Sequence, residues 1–313
     1  MRNHNFDECW FLSGPTASGK THVAIELARR IGAEIVSMDS MALYRKMDIG
    51  TAKPSADERR EVPHHLVDVI DPHEEYSLAQ YVEAAARAAD EIRSRSRQVL
   101  FVGGTPLYLK SLLRGIFEGP PADWELRRRL RDEAVAGDPM RLHRRLAQVD
   151  PTAAERLHPN DTRRIIRALE VFEKTGQPIS RLQQQFDHAR PADESRVFVL
   201  DWPRGELHDR IDRRVEQMFT TGLVDEVRLL LASPKPPSRT AAQALGYREV
   251  MELLQRGGSL GATVDSVKTH TRQFAKRQET WFRSLSECRF VPMSEPFDAV
   301  DLAVEIERVG AVV

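Results

Sequence analysis

The sequence predicts an α/β fold, a parallel sheet with helices on both faces, interrupted by an all-helical insertion. Three observations carry this expectation. Short, continuously apolar runs alternate with stretches of helical periodicity, the pattern of a sheet buried on both faces. A Gly/Ser-rich turn follows the first apolar run and opens a helix, and between Gly119 and Pro191 no strand candidate occurs. The 313 residues are 41% hydrophobic and 30% charged, ordinary globular values that suit one large domain or a core with a module. Runs such as 99–102 and 197–200 are far shorter than the roughly twenty residues a membrane helix needs, so a soluble chain without a membrane contact is expected. The first eight residues carry no apolar signal stretch, which predicts a cytoplasmic location. Cys9 and Cys288 lie far apart without metal-ligand spacing and are expected to be reduced thiols.

Element by element, 9–12 reads as a strand, and the helix at 22–30 follows from the spacing of Val23, Leu27 and Ile31. Residues 34–37 give a second strand ending at Met38-Asp39-Ser40. Ser77 is placed to cap an Ala-rich helix reaching about Arg93, and 98–102 gives a third strand. The segment 119–191 then reads as helices only, divided at Asp138-Pro139, Asp150-Pro151 and His158-Pro159. Residues 196–201 resume a strand, followed by helices near 205–220, 222–232, 241–256 and 264–285 with a Pro-rich loop at 234–237. The expected organisation is a first part of the core at 1–120, an insertion at 121–195, and a return to the core at 196–313.

Gly14-Pro15-Thr16-Ala17-Ser18-Gly19-Lys20-Thr21 matches the phosphate-binding loop G-x-x-x-x-G-K-[S/T], with a strand before it and a helix after it as the motif requires. The glycines let the backbone wrap a phosphate, and the helix N-terminus adds its positive dipole end. Lys20 then neutralises oxyanions, while the Thr21 hydroxyl is the candidate Mg²⁺ ligand. A loop of this kind is usually served by a metal-holding acid at the end of a second strand. Here 99–102 runs into Gly103-Gly104-Thr105 with no acid, and it is the strand 34–37 that delivers Asp39. Ligands in open parallel sheets lie beyond the carboxyl ends of the strands, so Asp39, Thr105 and the loop are expected to converge. Asp39 could ligate metal, take a proton, or cap a following helix. The neighbouring His64 and His65 point opposite ways on an extended segment, which favours packing or hydrogen bonding over metal chelation.

Net charge is −1, but cations are unevenly distributed: 38 Arg accompany 8 Lys, and 268–290 holds six Lys/Arg against two acids. Arginine suits bidentate phosphate contacts and base stacking, which makes that stretch a candidate phosphate-binding surface. Ordinary solvated helices are the plain alternative.

Several blocks in order resemble the tRNA dimethylallyltransferase (tRNA isopentenyltransferase) family, bacterial type. They are the phosphate loop, Asp39-Ser40, Tyr44-Arg45 through Gly50-Thr51-Ala52-Lys53-Pro54, Pro63-His64-His65-Leu66, Asp71-Pro72, Tyr76-Ser77 and Gly103-Gly104-Thr105-Pro106-Leu107-Tyr108. Later come His158-Pro159-Asn160-Asp161 with Arg164 and 167–171, Leu245-Gly246-Tyr247-Arg248, and 272–278 with Thr280-Trp281. Departures are Met41-Ala42, where a polar pair is more usual, and Pro106, where Gly or Met is common.

The resemblance implies a P-loop NTPase-like core that transfers a dimethylallyl group from dimethylallyl diphosphate to N6 of the adenosine 3′ of the anticodon. The loop would then hold a diphosphate leaving group, with Mg²⁺ as cofactor. It implies Asp39 as the base, with Thr105 and Arg210 or Arg214 supporting the departing charge. It places tRNA contacts at Asp39, Ser40, Met41, Ala42, Thr105, Arg127, Arg163, Arg164, Arg167, Gly246, Tyr247, Arg248, Arg272, Lys276, Arg277 and Gln278. Helical spacing puts Arg163 and Arg167 opposite Ile165, Leu169 and Phe172, and Arg272, Lys276 and Arg283 opposite Phe274, Trp281 and Leu285. The expected partner is the anticodon stem-loop, bound by a monomer. The rival readings are a phosphate-loop kinase acting on a small molecule or nucleoside, and a non-catalytic RNA-binding nucleotide switch.

Overall fold

The computed structural model describes residues 6–117, 119–135, 138, 140–183 and 190–313. Contacts divide the chain into two compact units, residues 1–113 with 189–313 and residues 114–188. The helical unit therefore spans 114–188 where 121–195 is expected from sequence. The return to the first unit comes earlier because the residues after 189 are already tied to it. Arg190 pairs with Asp7 at 2.6 Å, and Arg289 donates to the Ala192 carbonyl at 3.2 Å.

The first unit holds a parallel sheet of β1 (Trp10–Ser13), β2 (Ala33–Ser37), β3 (His64–His65), β4 (Gln98–Val102), β5 (Val197–Asp201) and β6 (Cys288–Pro292), in the order β3-β2-β4-β1-β5-β6. Central β1 sets Phe11 opposite Phe101 and Leu12 opposite Phe198. The Phe11 and Phe101 rings stack with centroids 5.1 Å apart. β3 and β6 are absent from the sequence reading. Both lie at sheet edges, where half-exposed strands carry His, Arg and Pro in place of an apolar run.

The early helices are α1 (Lys20–Ile31), α2 (Ala56–Glu61), α3 (Leu78–Ser94) and α4 (Pro106–Arg114). Ser77 caps α3 as its sequence position suggests, in a reciprocal capping box with Gln80. The second unit comprises α5 (Trp124–Val135), α6 (Arg141–Val149), α7 (Pro151–Arg156), α8 (Thr162–Thr175) and α9 (Ile179–Leu182). α10 (Arg204–Thr220), α11 (Leu223–Leu231), α12 (Arg239–Ala242), α13 (Tyr247–Arg256), α14 (Leu260–Arg283) and α15 (Ala299–Gly310) complete the first unit. No described helix is long and apolar enough to cross a membrane.

The main core joins Leu12, Leu100, Phe198 and Leu200 of the sheet to Val23 and Leu27 of α1 and Ile211 of α10. Burial of each such side chain contributes about 1.5–3 kcal/mol. α15 packs along α1 with Gly310 against β1, where any side chain would collide with the Trp10 ring. The second unit has its own core of Leu126, Leu130, Leu142, Leu146, Ile165 and Leu169. His65 and His64 take separate partners: Nε2 of His65 lies 2.7 Å from Glu34, and Nδ1 of His64 lies 2.7 Å from the Val62 carbonyl. Cys9 and Cys288 are buried thiols outside any disulfide.

Candidate active site

The carboxyl ends of β1, β2 and β4 meet at one edge of the sheet. β1 passes into the phosphate loop, and Gly19, at φ 87°, turns the backbone into α1. Gly19 tolerates this left-handed conformation without steric cost. No side chain caps α1, so its first N–H groups are available to an anion.

Four carbonyls of the loop accept side-chain donors. Lys20 donates to Gly14 and Pro15 at 3.0 and 2.7 Å, Arg210 Nε to Ala17 at 2.8 Å, and Trp202 Nε1 to Ser18 at 3.0 Å. Arg210 is also stacked over Trp202 at 4.2 Å and over Phe297 at 5.2 Å, with its Nη1 on Glu295. Arg210 thus braces the loop through the Ala17 carbonyl.

Arg214, one turn further along α10, is the arginine that faces the reactive groups. Its Nε is buried with no hydrogen-bond partner among the described residues, and Nη2 lies 3.5 Å from the Thr51 carbonyl. A buried donor left unpaired costs roughly 1–3 kcal/mol, which an anionic ligand would recover. Desolvation, reinforced by the Arg214 charge, pushes the Lys20 ammonium down to about 7, with Asp39 pulling the opposite way. Desolvation likewise lowers Arg214, again against Asp39. Two desolvated cations and one carboxylate therefore share a single electrostatic neighbourhood.

Asp39 follows β2 and lies in a turn. Oδ1 accepts the Met41 N–H at 2.8 Å, and no hydrogen bond to Oδ2 occurs among the described residues. The next helix starts at Ala56 under the cap of Ser55, so the capping role considered for Asp39 is excluded. Thr105 Oγ1 accepts the Ser40 N–H at 3.1 Å, holding the Asp39 turn from the end of β4. Gly103 is required there because a Cβ would fall 2.2 Å from the Met38 carbonyl.

Other expected contact residues have internal partners. Tyr247 is fully buried, donating to Glu226 at 2.5 Å and accepting from the Gly50 N–H at 3.2 Å, so its ring is no stacking platform. Glu226 also accepts the N–H groups of Asp48 and Ile49, both at 2.9 Å, and so fixes the loop whose Thr51 carbonyl meets Arg214. Gly246 precedes α13 with φ 84°, and its N–H donates to Glu249 at 2.9 Å. Arg248 pairs with Glu249, Arg272 chelates Asp212, Ala42 is buried, and Gln278 is buried beside the phosphate loop. Lys268 and Arg283 pair with Glu216 and Asp201, so much of the basic excess on α14 is neutralised by other elements. Lys276 and Arg277 remain exposed.

In the helical unit, Glu170 is fully buried beneath a bidentate pair from Arg127, with Nε and Nη2 each 2.8 Å away, and a 2.5 Å contact from Arg167. Those two arginines hold the unit together, whereas Arg163 and Arg164 on the same helix are exposed. Glu226, Trp202 and Glu170 are missed by sequence reasoning, because each acts through partners distant in the chain.

A phosphate loop at the carboxyl edge of a parallel sheet, with lysine and arginine near a carboxylate that follows β2, one strand removed from β1, defines a phosphate-loop group transferase. The profile described as IPP transferase matches residues 42–285. The tRNA dimethylallyltransferase of Rhodopirellula baltica is 46% identical over 305 residues, covering 95% of this chain and 91% of that protein. Its counterpart from Desulforudis audaxviator is 48% identical, covering 94% and 95%. Among solved structures, the tRNA isopentenylpyrophosphate transferase of Bacillus halodurans aligns with TM-score 0.71 at 35% identity, covering 98% of this chain and 96% of that one. A eukaryotic dimethylallyltransferase acting on tRNA aligns with TM-score 0.75 at 27% identity, covering 92% and 74%. The chain belongs to the IPP transferase family.

Proposed function

We propose that this chain transfers a dimethylallyl group from dimethylallyl diphosphate to the exocyclic N6 of the adenosine 3′ of the anticodon in tRNA. The observation that carries the reading is the shared neighbourhood of Lys20, Arg214 and Asp39 at the mouth of the phosphate loop. Cations there match a departing diphosphate, and the carboxylate matches an amine that must lose a proton.

In the transfer, the N6 lone pair forms a bond to C1 of the allyl group while the C1–O bond breaks. The electron pair leaves on the diphosphate. The loop amides, Lys20 and Arg214 receive the growing negative charge, and such preorganised donors act most strongly where water is excluded. The N6 proton passes to Asp39, whose Oδ1 is held by Met41 N–H so that Oδ2 faces the task. Thr21, next to Lys20 at the start of α1, would hold Mg²⁺ together with the donor's own phosphate oxygens. No group of three or more His, Cys, Asp or Glu residues suited to a metal occurs among the described residues, and a magnesium ion carried largely by phosphates and water needs none. The ion, when bound, neutralises charge on the leaving group.

The adenine must leave its stack to reach the donor. Exposed Arg163 and Arg164 in the helical unit, and exposed Lys276 and Arg277 on α14, are the proposed contacts to the anticodon stem-loop phosphates. A monomer is the proposed working unit, in the cytoplasm where its tRNA substrate is found. A kinase reading lacks support, since β4 ends in Gly103-Gly104-Thr105 with no acid. Incubation with unmodified tRNA, Mg²⁺ and dimethylallyl diphosphate, followed by nucleoside mass spectrometry, tests the reading. A prenylated adenosine is expected, whereas ATP-dependent phosphorylation of a small acceptor without any prenylated nucleoside would overturn it.

A further inference from the structure

Gln278 sits in the last two turns of α14, 4% exposed, where a solvated polar side chain has no place. Its Oε1 accepts the Thr16 N–H of the phosphate loop at 2.9 Å, and its Nε2 donates to the Gly104 carbonyl after β4. A backbone N–H on one side and a backbone carbonyl on the other fix which way the amide lies. The contact is also tight, because a Cβ on Gly104 would come within 2.7 Å of Gln278 Nε2, 3.3 Å of the Gly14 carbonyl and 3.6 Å of Lys20 Nζ. The Gly103–Thr105 turn is in turn joined to the Asp39 side of the site, through Thr105 N to the Met38 carbonyl at 3.3 Å and Ser40 N to Thr105 Oγ1 at 3.1 Å. One side chain therefore links the phosphate loop to the Gly103–Thr105 turn, which itself holds the Asp39 turn.

We propose that Gln278 is a positioning residue that sets the spacing between the phosphate loop and the Asp39 turn, so that the seating of α14 controls diphosphate binding. It acts through Thr16 and Gly104. Among the described residues, Thr16 supplies the loop amide held by a side chain from α14, and this bond fixes the loop backbone before any ligand arrives. Preorganisation of this kind lowers the cost of binding an anion. The proposal rests on the reading of the loop as a diphosphate site.

The test uses the full chain with inorganic diphosphate and Mg²⁺ as the probe, in the absence of tRNA, well below the melting temperature. Gln278→Met fills a similar volume without either hydrogen bond. It should weaken diphosphate binding by about tenfold while tRNA affinity stays within about twofold. Amide hydrogen exchange in the peptide around Thr16 should quicken in the variant, with exchange in α1 unchanged. Gln278→Asn, which keeps the amide but cannot span both partners, serves if the Met variant does not fold, and the same split is expected. If the parent binds diphosphate and a folded variant binds it equally well, or if the loss falls on tRNA affinity, the proposal is overturned while the loop assignment stands. If the parent itself does not bind diphosphate, the loop assignment fails and the proposal fails with it.

Discussion

Arg210 and Arg214 lie one turn apart on α10, yet Arg210 donates its Nε to the Ala17 carbonyl at 2.8 Å whereas the Nε of Arg214 is buried with no partner among the described residues. Neighbours at this spacing share a helix face, but tertiary contacts give them different work. Arg210 stabilises the loop, and the unpaired Nε leaves Arg214 as the proposed partner of an anion. The two substitutions should therefore part in opposite directions. Arg214→Met relieves a desolvated charge, so its melting temperature should equal or exceed that of the parent while diphosphate binding falls by about tenfold or more. Arg210→Met should lower the melting temperature, since Ala17 and Glu295 lose their partner. Calorimetry with diphosphate alongside thermal melts reads both, and a destabilised Arg214→Met with normal affinity would reverse the assignment.

Asp39 caps no helix, so Asp39→Asn should change stability by well under about 1 kcal/mol. Turnover should fall by about 10²- to 10⁴-fold at unchanged donor and tRNA affinities, the usual contribution of a positioned base. Single-turnover rates at saturating substrates check this. A folded variant transferring at more than about a third of the parental rate would end the assignment of Asp39 as base.

Lys20 gives a pH signature. Its ammonium is pushed from the ordinary 10.5 down to about 7 in the fold, so between these values the unfolded chain binds one more proton than the native one. Stability then rises with pH across that window, and the cost of the desolvated lysine is greatest below about pH 7. Lys20→Met should accordingly melt higher than the parent near neutral pH, with an advantage that shrinks toward about pH 10. Because diphosphate favours the ammonium, ligand binding by the parent near pH 8 should take up more protons than binding by Lys20→Met. Titration calorimetry in buffers of different ionisation enthalpy measures that difference, and equal uptake in the two proteins would remove Lys20 from the anion site.

Glu170 supports the helical unit by pairing with Arg127 and Arg167. Glu170→Ala leaves two guanidinium groups without their carboxylate and should cost roughly 3–5 kcal/mol, the penalty of breaking a buried ion pair. Denaturant melts that follow the single exposed tryptophan of α5, Trp124, would report it. Replacing exposed Arg163 and Arg164 by Ala should leave stability nearly intact but flatten the salt dependence of tRNA binding, since each lost phosphate contact lowers the slope by about one. Unchanged slopes would mean that these arginines do not meet the RNA backbone.

Much of this arrangement is legible in the sequence, for identifiable reasons. The phosphate loop is local: Gly14, Gly19, Lys20 and Thr21 do their work within eight residues, and flanking periodicity places them between β1 and α1. Four interior strands are visible as apolar runs because both of their faces are buried. The edge strands β3 and β6 are not, since an edge position relaxes the demand for hydrophobic residues. The parallel-sheet rule likewise brings Asp39 and Thr105 to the loop without any structure in hand.

Pattern alone cannot assign the individual basic and polar residues. Helical spacing groups Arg163 with Arg167 and Arg272 with Lys276, but one of each pair is consumed by a carboxylate, Glu170 or Asp212, that approaches from another element. Tyr247 and Gln278 read as surface candidates until the fold encloses them. The sequence by itself determined the loop, the sheet class and the delivery of Asp39 to the carboxyl edge of the sheet, because each follows from short-range chemistry or from a general rule of chain topology. Only the tertiary structure decided which arginine is tied to a loop carbonyl, which keeps a buried Nε without a partner among the described residues, and which polar side chains brace the site, because desolvation and hydrogen-bond partners depend on atoms supplied by residues far away in the chain.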